Sequence, residues 1–190
     1  MNLKNLNTKF LGRENYFYNS IDSTQKEIWR LYDKNYQSGV LVSTGIQTDG
    51  IGTHGRVWYT EQVNNIAFSF LIRPNCNITY LDGLTKEIAV IIVDIFKNKY
   101  GIELGIKEPN DIVYKNKKLG GILIQTKTEK EVVKALVIGI GINTSQVDFN
   151  ADIKNIATSI KKEFDIEINV EDFIETFCNI FETKLLERID

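Results

Sequence analysis

Proline is scarce, at two residues in 190 (Pro74 and Pro109), and no proline-rich linker, low-complexity tract or internal repeat divides the chain. A single ordinary domain, long enough to bury a sizeable core, follows from that length. Cysteine and histidine are equally sparse: Cys76 and Cys178 lie far apart, and His54 is the single histidine. This excludes a zinc framework and a disulfide scaffold and leaves a reducing cytoplasm as the default compartment. His54 has no plausible nucleophile and orienting acid nearby in sequence, which argues against a serine- or cysteine-type triad. The net charge is only −2, so no broad basic face is available for nucleic acid. No apolar run approaches the roughly 20 residues of a membrane span, and the start Met1-Asn2-Leu3-Lys4 lacks a signal-peptide core, so neither membrane nor export is expected.

What is present is the composition of a soluble globular protein, 43% hydrophobic and 25% charged. Tyr16-Phe17-Tyr18 reads as a short aromatic strand, and Thr24 with Glu27 as a capping box opening a helix. Val40 to Ser43 and Ile66 to Ile72 read as buried strands, the second closed by Arg73-Pro74. Asp82 is expected to cap a long helix through Phe96, whose Leu84, Ile88, Ile91-Ile92 and Ile95-Phe96 recur at helical spacing. Ile112-Val113-Tyr114 and Ile122-Leu123-Ile124 suggest a hairpin around Lys115-Asn116-Lys117. Val132 to Ile142 is a further strand. From Glu171 a closing helix carries Phe173, Phe177, Phe181 and Leu185 as one apolar stripe. Strands interrupted by helices, with hairpin-length connections, predict an α+β fold with a mixed sheet.

Three ordered patches carry the chemistry. The first is Gln47-Thr48-Asp49-Gly50-Ile51-Gly52-Thr53-His54-Gly55-Arg56-Val57-Trp58. Its glycines suit a loop that is poorly ordered alone and folds over a ligand, with Arg56 placed on a phosphate or carboxylate. Alone, the same stretch reads equally as a mobile turn with a stray arginine. It lacks the ending of a Walker loop. The second patch, Lys107-Glu108-Pro109-Asn110-Asp111, places a lysine beside a carboxylate at a turn, which suits phosphate plus magnesium but also describes a plain turn. The third is Lys118-Leu119-Gly120-Gly121, where glycines strip side chains from beside an amine. In Ile138-Gly139-Ile140-Gly141-Ile142, alternation sends the isoleucines to one face and leaves the glycine face bare, as something flat approaching there would require. A close helix crossing would explain that face too.

Together these residues resemble the biotin protein ligases, from about Tyr16 to Ser159. The motifs that carry the resemblance are Asp22-Ser23-Thr24, the Gln47 to Trp58 loop, Lys107-x-Pro109-Asn110-Asp111, Lys118 to Leu123, Ile138 to Asn143 and Ala157-Thr158-Ser159. The resemblance implies a mixed β-sheet flanked by helices, related to lipoate ligases and to the class II aminoacyl-tRNA synthetase core. It implies an ATP-dependent ligase that activates biotin to biotinyl-5′-adenylate, with Mg2+ accompanying ATP, and transfers biotin to a lysine of a biotin carboxyl carrier protein. Lys118 is implied to bridge the biotin carboxylate and the α-phosphate, with Arg56 and Lys107 on phosphates and Asp111 near magnesium. Ser23, Thr24 and Gln47 are implied to bind the ureido ring, and Gly50, Gly121 and Gly139 to line the biotin slot. Trp58, Asn110 and Asn143 are implied to contact the nucleotide. Ser23 is expected to face the pocket while Thr24 caps the helix. A homodimer through the sheet is a further implication, with Val132 to Ile142 as the candidate edge. A lipoate or octanoate transferase and a non-catalytic biotin- or nucleotide-binding relative are the alternatives.

The chain also departs from the pattern. Ile51 and Thr53 stand where the family loop carries arginines, and Glu108 stands where it carries tryptophan. A leakier adenylate or a lower rate is expected. Neither the small C-terminal barrel of many relatives nor an N-terminal helix-turn-helix is expected within residues 1–190, which read as a single catalytic domain.

Overall fold

The computed structural model describes residues 3–60 and 64–189; residues 1, 2, 61–63 and 190 lie outside the described residues. An eight-stranded mixed sheet forms the centre. β1 (Asn15–Ile21) pairs parallel with β2 (Leu41–Gln47) across the connection made by α1 (Thr24–Asp33). Every later pairing is antiparallel: β2 with β3 (Ile66–Ile72), β3 with β8 (Val132–Ile142), β8 with β7 (Lys117–Glu129), β7 with β6 (Asp111–Tyr114), and β6 with β5 (Gly105–Lys107). The two-residue β4 (Cys76–Asn77) pairs with the start of β8. Helices α2 (Leu84–Tyr100), α3 (Ile160–Phe164) and α4 (Val170–Ile189) complete the fold. The expected mixed sheet flanked by helices is what forms.

The sheet has two unlike faces. Phe68 and Phe70 of β3 and Ile138, Ile140 and Ile142 of β8 point into the main core, where α2 and α4 add Ile88, Ile92, Phe96, Phe173, Phe177 and Phe181. The stripe of α4 packs ring on ring, with Phe177 and Phe181 stacked at 5.4 Å between centroids. On the opposite face a smaller cluster joins Ile28 and Leu31 of α1 to Val42, Leu71 and Val137. Beyond it that face becomes bare. Ser69 pairs with Gly139 and Leu123 with Gly139, while Ala67 and Gly121 both pair with Gly141. These two rows, each centred on a glycine of β8, are the floor on which the site is built.

Three local expectations need correction. β8 is flanked by β3 and β7 and is no edge; the described path ends on β1 and β5. Its consecutive residues Ala135, Leu136, Val137 and Ile138 are all buried, as in a strand covered on both faces. The long helix starts at Leu84 behind Gly83, which sits at φ 75, so Asp82 precedes the cap. Left-handed Gly83 turns the chain into the helix, a conformation aspartate adopts only at a cost. Thr24 does not cap α1: Ser23 holds the N-cap position without a side-chain cap hydrogen bond, and the Thr24 hydroxyl bonds across to Ser69.

The segment before β1 is strapped to α4. Glu182 accepts the backbone N–H groups of Lys9, Phe10 and Leu11 at 2.5, 3.0 and 2.8 Å, and Glu175 accepts that of Asn5 at 2.8 Å. Glu182 is 4% exposed, so its removal strands the buried Leu11 N–H and two part-buried donors beside it. A Glu182→Ala chain should lose about 3 kcal/mol of stability, seen as a lower urea midpoint; an unshifted midpoint would show that water replaces the carboxylate.

Candidate functional site

Two adjoining cavities lie over the bare floor. The first is walled by Thr24 and Gln25 from the start of α1, Gln47 from the end of β2, Ser69, and the glycines Gly121, Gly139 and Gly141. The second is more apolar, with Val57, Tyr59, Phe149, Ile153 and Ile156 around Arg56, Asn143 and Gln146. Gly52, Thr53, Trp58 and Lys118 line both. The arrangement suits two ligands meeting at one lysine.

The 48–59 loop separates the cavities as a closed flap. Gln47 bridges to Thr60 and Ile51 to Val57, with Trp58 N–H donating to the Gly50 carbonyl at 2.9 Å and Gly52 N–H to the Arg56 carbonyl at 2.7 Å. His54 and Gly55 turn its tip at φ 57 and 72. The loop therefore carries its own short ladder, where the sequence suggested little order. Gly50 lets the arms close, since a Cβ there would come 2.3 Å from the Trp58 carbonyl oxygen. Gly50 lines neither cavity, so its expected place in the slot is a packing role instead. Trp58 lies flat on the floor: a Cβ on Gly141 would come 2.4 Å from its Cε2, and one on Gly121 3.4 Å from its Cζ3. The glycine face is thus bare to receive an indole and the Gln25 amide, which sits 2.5 Å from a Cβ built on Gly139.

Lys118 is aimed by a bulge. β6 and β7 turn over Lys115 and Asn116, both at positive φ (46 and 65), as a two-residue hairpin requires. Val113 pairs with Lys118 but Ile112 with Gly120, so Leu119 is an extra residue. Leu119 drops fully buried into the main core, and Lys118 emerges on the face of Gly121. Its backbone is clamped by the 156–158 segment, with Lys118 N–H donating to the Ile156 carbonyl at 2.7 Å and Thr158 N–H to the Lys118 carbonyl at 2.9 Å. The ammonium lies 2.6 Å from Asp111 Oδ1 and 5.6 Å from the Trp58 ring centroid. The Asp111 contact is an ion pair off hydrogen-bond alignment, for Oδ1 is buried without a hydrogen-bond partner among the described residues.

Ser23, Thr24, Gln47, Gly121, Gly139, Trp58, Asn110 and Lys118 are brought together at the first cavity, and Arg56, Trp58, Asn143 and Lys118 at the second. Asn110 and Asn143 carry structural bonds there: Asn110 Nδ2 donates to the Ile122 carbonyl at 3.0 Å and Asn143 Nδ2 to the Thr158 carbonyl at 3.2 Å. Gln47 accepts the Thr24 N–H at 3.0 Å and donates to Thr60 Oγ1 at 3.2 Å, so its amide is committed to protein. Arg56 folds onto Thr53, with Nη2 donating to Thr53 Oγ1 at 2.9 Å. Thr53 thus tethers the guanidinium that the flap retains. Lys107 is exposed and lines neither cavity; its register opposite Asp111 puts it on the edge hairpin. Glu108 turns outward to Lys86 at 2.7 Å, whose ammonium holds its carboxyl below the usual carboxylate range. Its negative charge is therefore kept from the cavities. Arg30 beside Asp22, helped by the Ser23 N–H, likewise holds the Asp22 carboxyl low, pinning the turn that presents Ser23.

Gln25, Ser69, Phe149 and Ile153 escaped the sequence reading. Ser69 had a signal, as the one hydroxyl within the apolar run of β3. The others had none, because only folding brings them to the cavities.

A profile of the biotin/lipoate A/B protein ligase family matches residues 17–143. The bifunctional ligase/repressor BirA of Bacillus subtilis is 34% identical over 181 residues, covering 94% of this chain, which spans 56% of that protein's length. The human biotin–protein ligase is 27% identical over 172 residues, covering 87% of this chain and 24% of that protein. The solved biotin protein ligase from Aquifex aeolicus, in complex with biotin and ATP, superposes with a TM-score of 0.74 at 24% identity, covering 93% of this chain and 70% of that one. At that identity the likeness is one of fold. The family profile spans well over half of the sequence, and the chain belongs to the biotin/lipoate A/B protein ligase family.

Proposed function

We propose that this chain activates biotin with MgATP to biotinyl-5′-adenylate and transfers it to a lysine of a biotin carboxyl carrier protein. The observation that carries the reading is the position of Lys118 on the wall common to both cavities. A carboxylate approaching a triphosphate meets like charge, and a cation held in place at the meeting point lowers the barrier. Lys118 would contact the biotin carboxylate and the α-phosphate as the carboxylate oxygen attacks phosphorus and pyrophosphate departs. The first cavity combines apolar walls with the buried Ser23 hydroxyl, which has no hydrogen-bond partner among the described residues, as a ligand with a polar headgroup requires. The second offers Phe149 and aliphatic side chains to a flat base, and Arg56, released from Thr53, would swing to the phosphates.

Magnesium fits as a companion of ATP. No group of three histidine, cysteine, aspartate or glutamate side chains able to hold a metal occurs among the described residues. Asp111 supplies one carboxylate, already paired with Lys118. A Mg2+ ion held chiefly by phosphate oxygens and water suits that donor set, and it would add neutralising charge at the triphosphate. The two free thiols, Cys76 and Cys178, suit work in the cytoplasm.

The test is incubation with labelled biotin, MgATP and a purified carrier domain. Label on the carrier lysine with stoichiometric AMP is the expected result. Biotin binding without AMP would leave a non-catalytic binder, and acylation of the carrier by octanoate in place of biotin would move the chain to the other branch of the family.

A further inference from the structure

Strand β7 changes partners at the point where it presents its lysine. Gly120 pairs with Ile142 at the end of β8, and beyond it the Asn143 N–H donates to the Leu119 carbonyl at 2.8 Å. At Lys118 the place of β8 is taken by Ala157, which bridges in parallel, while Val113 of β6 holds the other side. Both flanks of the lysine backbone are therefore fixed by the protein itself.

Residues 118–121 do not alternate. A Cβ on Gly121 would come 3.3 and 3.4 Å from Cε and Nζ of Lys118, so these two share the cavity face. Leu119 is fully buried in the main core. Gly120 faces the same way, since a Cβ there would come 3.3 Å from Cγ1 of Ile142 and 3.4 Å from Cβ of Ile112, both core residues. A bulge sets two residues opposite one, here Leu119 and Gly120 opposite Ile112, and so lets successive side chains share a side. Leu119 fills the core and Gly120 leaves it room. An added methyl on Gly120 would also come 3.0 Å from the Gly141 carbonyl oxygen, which is backbone in the middle of the sheet and cannot turn aside. Gly120 thus serves the core side and not, as its place in the motif suggested, the space beside the amine.

We propose that Leu119 and Gly120 are positioning residues for adenylation. Neither lines a cavity; the pair anchors the bulge that keeps the Lys118 ammonium on the wall common to both cavities before either ligand arrives. The inference rests on the ligase reading above.

AMP formation from biotin and MgATP tests it, beside a biotin titration and a melting curve, on the unaltered chain, Gly120→Ala, Leu119→Ala and Leu119→Met. The first two variants should slow AMP formation about tenfold, the scale of a small misplacement of a reacting group. Their biotin affinity should stay within about threefold. Leu119→Met keeps apolar volume in the core and should hold the unaltered rate within about threefold. Adding Gly120→Ala to Lys118→Met separates positioning from general damage: with no ammonium to misplace, further slowing should not exceed about twofold. Leu136→Ala makes the same truncation at another fully buried core residue, and should lower the melting temperature without a comparable loss of rate. Should Leu119→Ala fail to fold, Gly120→Ala carries the test, and the reverse. An unchanged rate in the variants that fold, an equal loss in Leu136→Ala, or the same slowing on the Lys118→Met background overturns the inference and leaves the ligase reading intact. An unaltered chain that forms no AMP overturns the ligase reading and this inference with it.

Discussion

A Lys118→Met chain should release AMP from biotin and MgATP at least about a hundredfold more slowly, the scale set by removing one fixed stabiliser of developing charge. Biotin affinity should fall by only about tenfold, because the polar end of the first cavity is untouched. The split arises from geometry: the ammonium sits where the two cavities meet, while Ser23, Thr24 and Gln25 line the first alone. Methionine keeps a stem of similar length against Trp58 and Gly121, so the loss reads charge and not packing. The measurement is AMP formation beside a biotin titration, with a melting curve to confirm folding. Full-rate adenylation in the variant would end the proposal that Lys118 neutralises the reacting anions.

Gly141→Ala should cost about 1–3 kcal/mol of stability by overpacking and weaken biotin and ATP binding together, each by about tenfold or more. The added methyl would come 2.4, 2.5 and 2.7 Å from Cε2, Nε1 and Cζ2 of Trp58. A rigid ring cannot rotate out of that clash, so the indole must lift, and it walls both cavities. Gly139→Ala provides the contrast. Its methyl would meet Gln25 Oε1 at 2.5 Å, the end of a flexible side chain, and Gly139 lines the first cavity alone. Biotin binding should suffer there while ATP binding holds. Equal effects of the two substitutions on both ligands would refute the view that Trp58 is the partition.

Much of this protein was legible before folding. The strand from Ile66 to Ile72 stands at the expected bounds, the stripe of Phe173, Phe177, Phe181 and Leu185 is buried as its spacing implied, and alternation in β8 correctly divided isoleucines from glycines. Apolar periodicity and glycine placement are local signals, and these elements needed nothing more. The site was legible in part, since Ser23, Thr24, Gln47, Arg56, Trp58 and Lys118 do converge. Lys107 did not join them, because a lysine on a short exposed hairpin shows the same sequence whether it faces solvent or a ligand. The dual duty given to Ser23 and Thr24 failed for a related reason: a hydroxyl at a helix start bonds whatever is nearest, and Ser69 comes from a distant strand.

By itself, then, the amino-acid order determined which segments are strands or helices, which faces are apolar, and where backbone lies bare for a flat group. Tertiary structure alone decided that β8 runs through the middle of the sheet, that Trp58 and Gln25 occupy the glycine face, and that Lys118 reaches the cavities. Strict alternation counted back from Gly121 would have sent Lys118 into the main core; the extra residue at Leu119 reverses it. Such a bulge arises from fitting one strand against its neighbours, so the pairing, and not the local sequence, aims the amine.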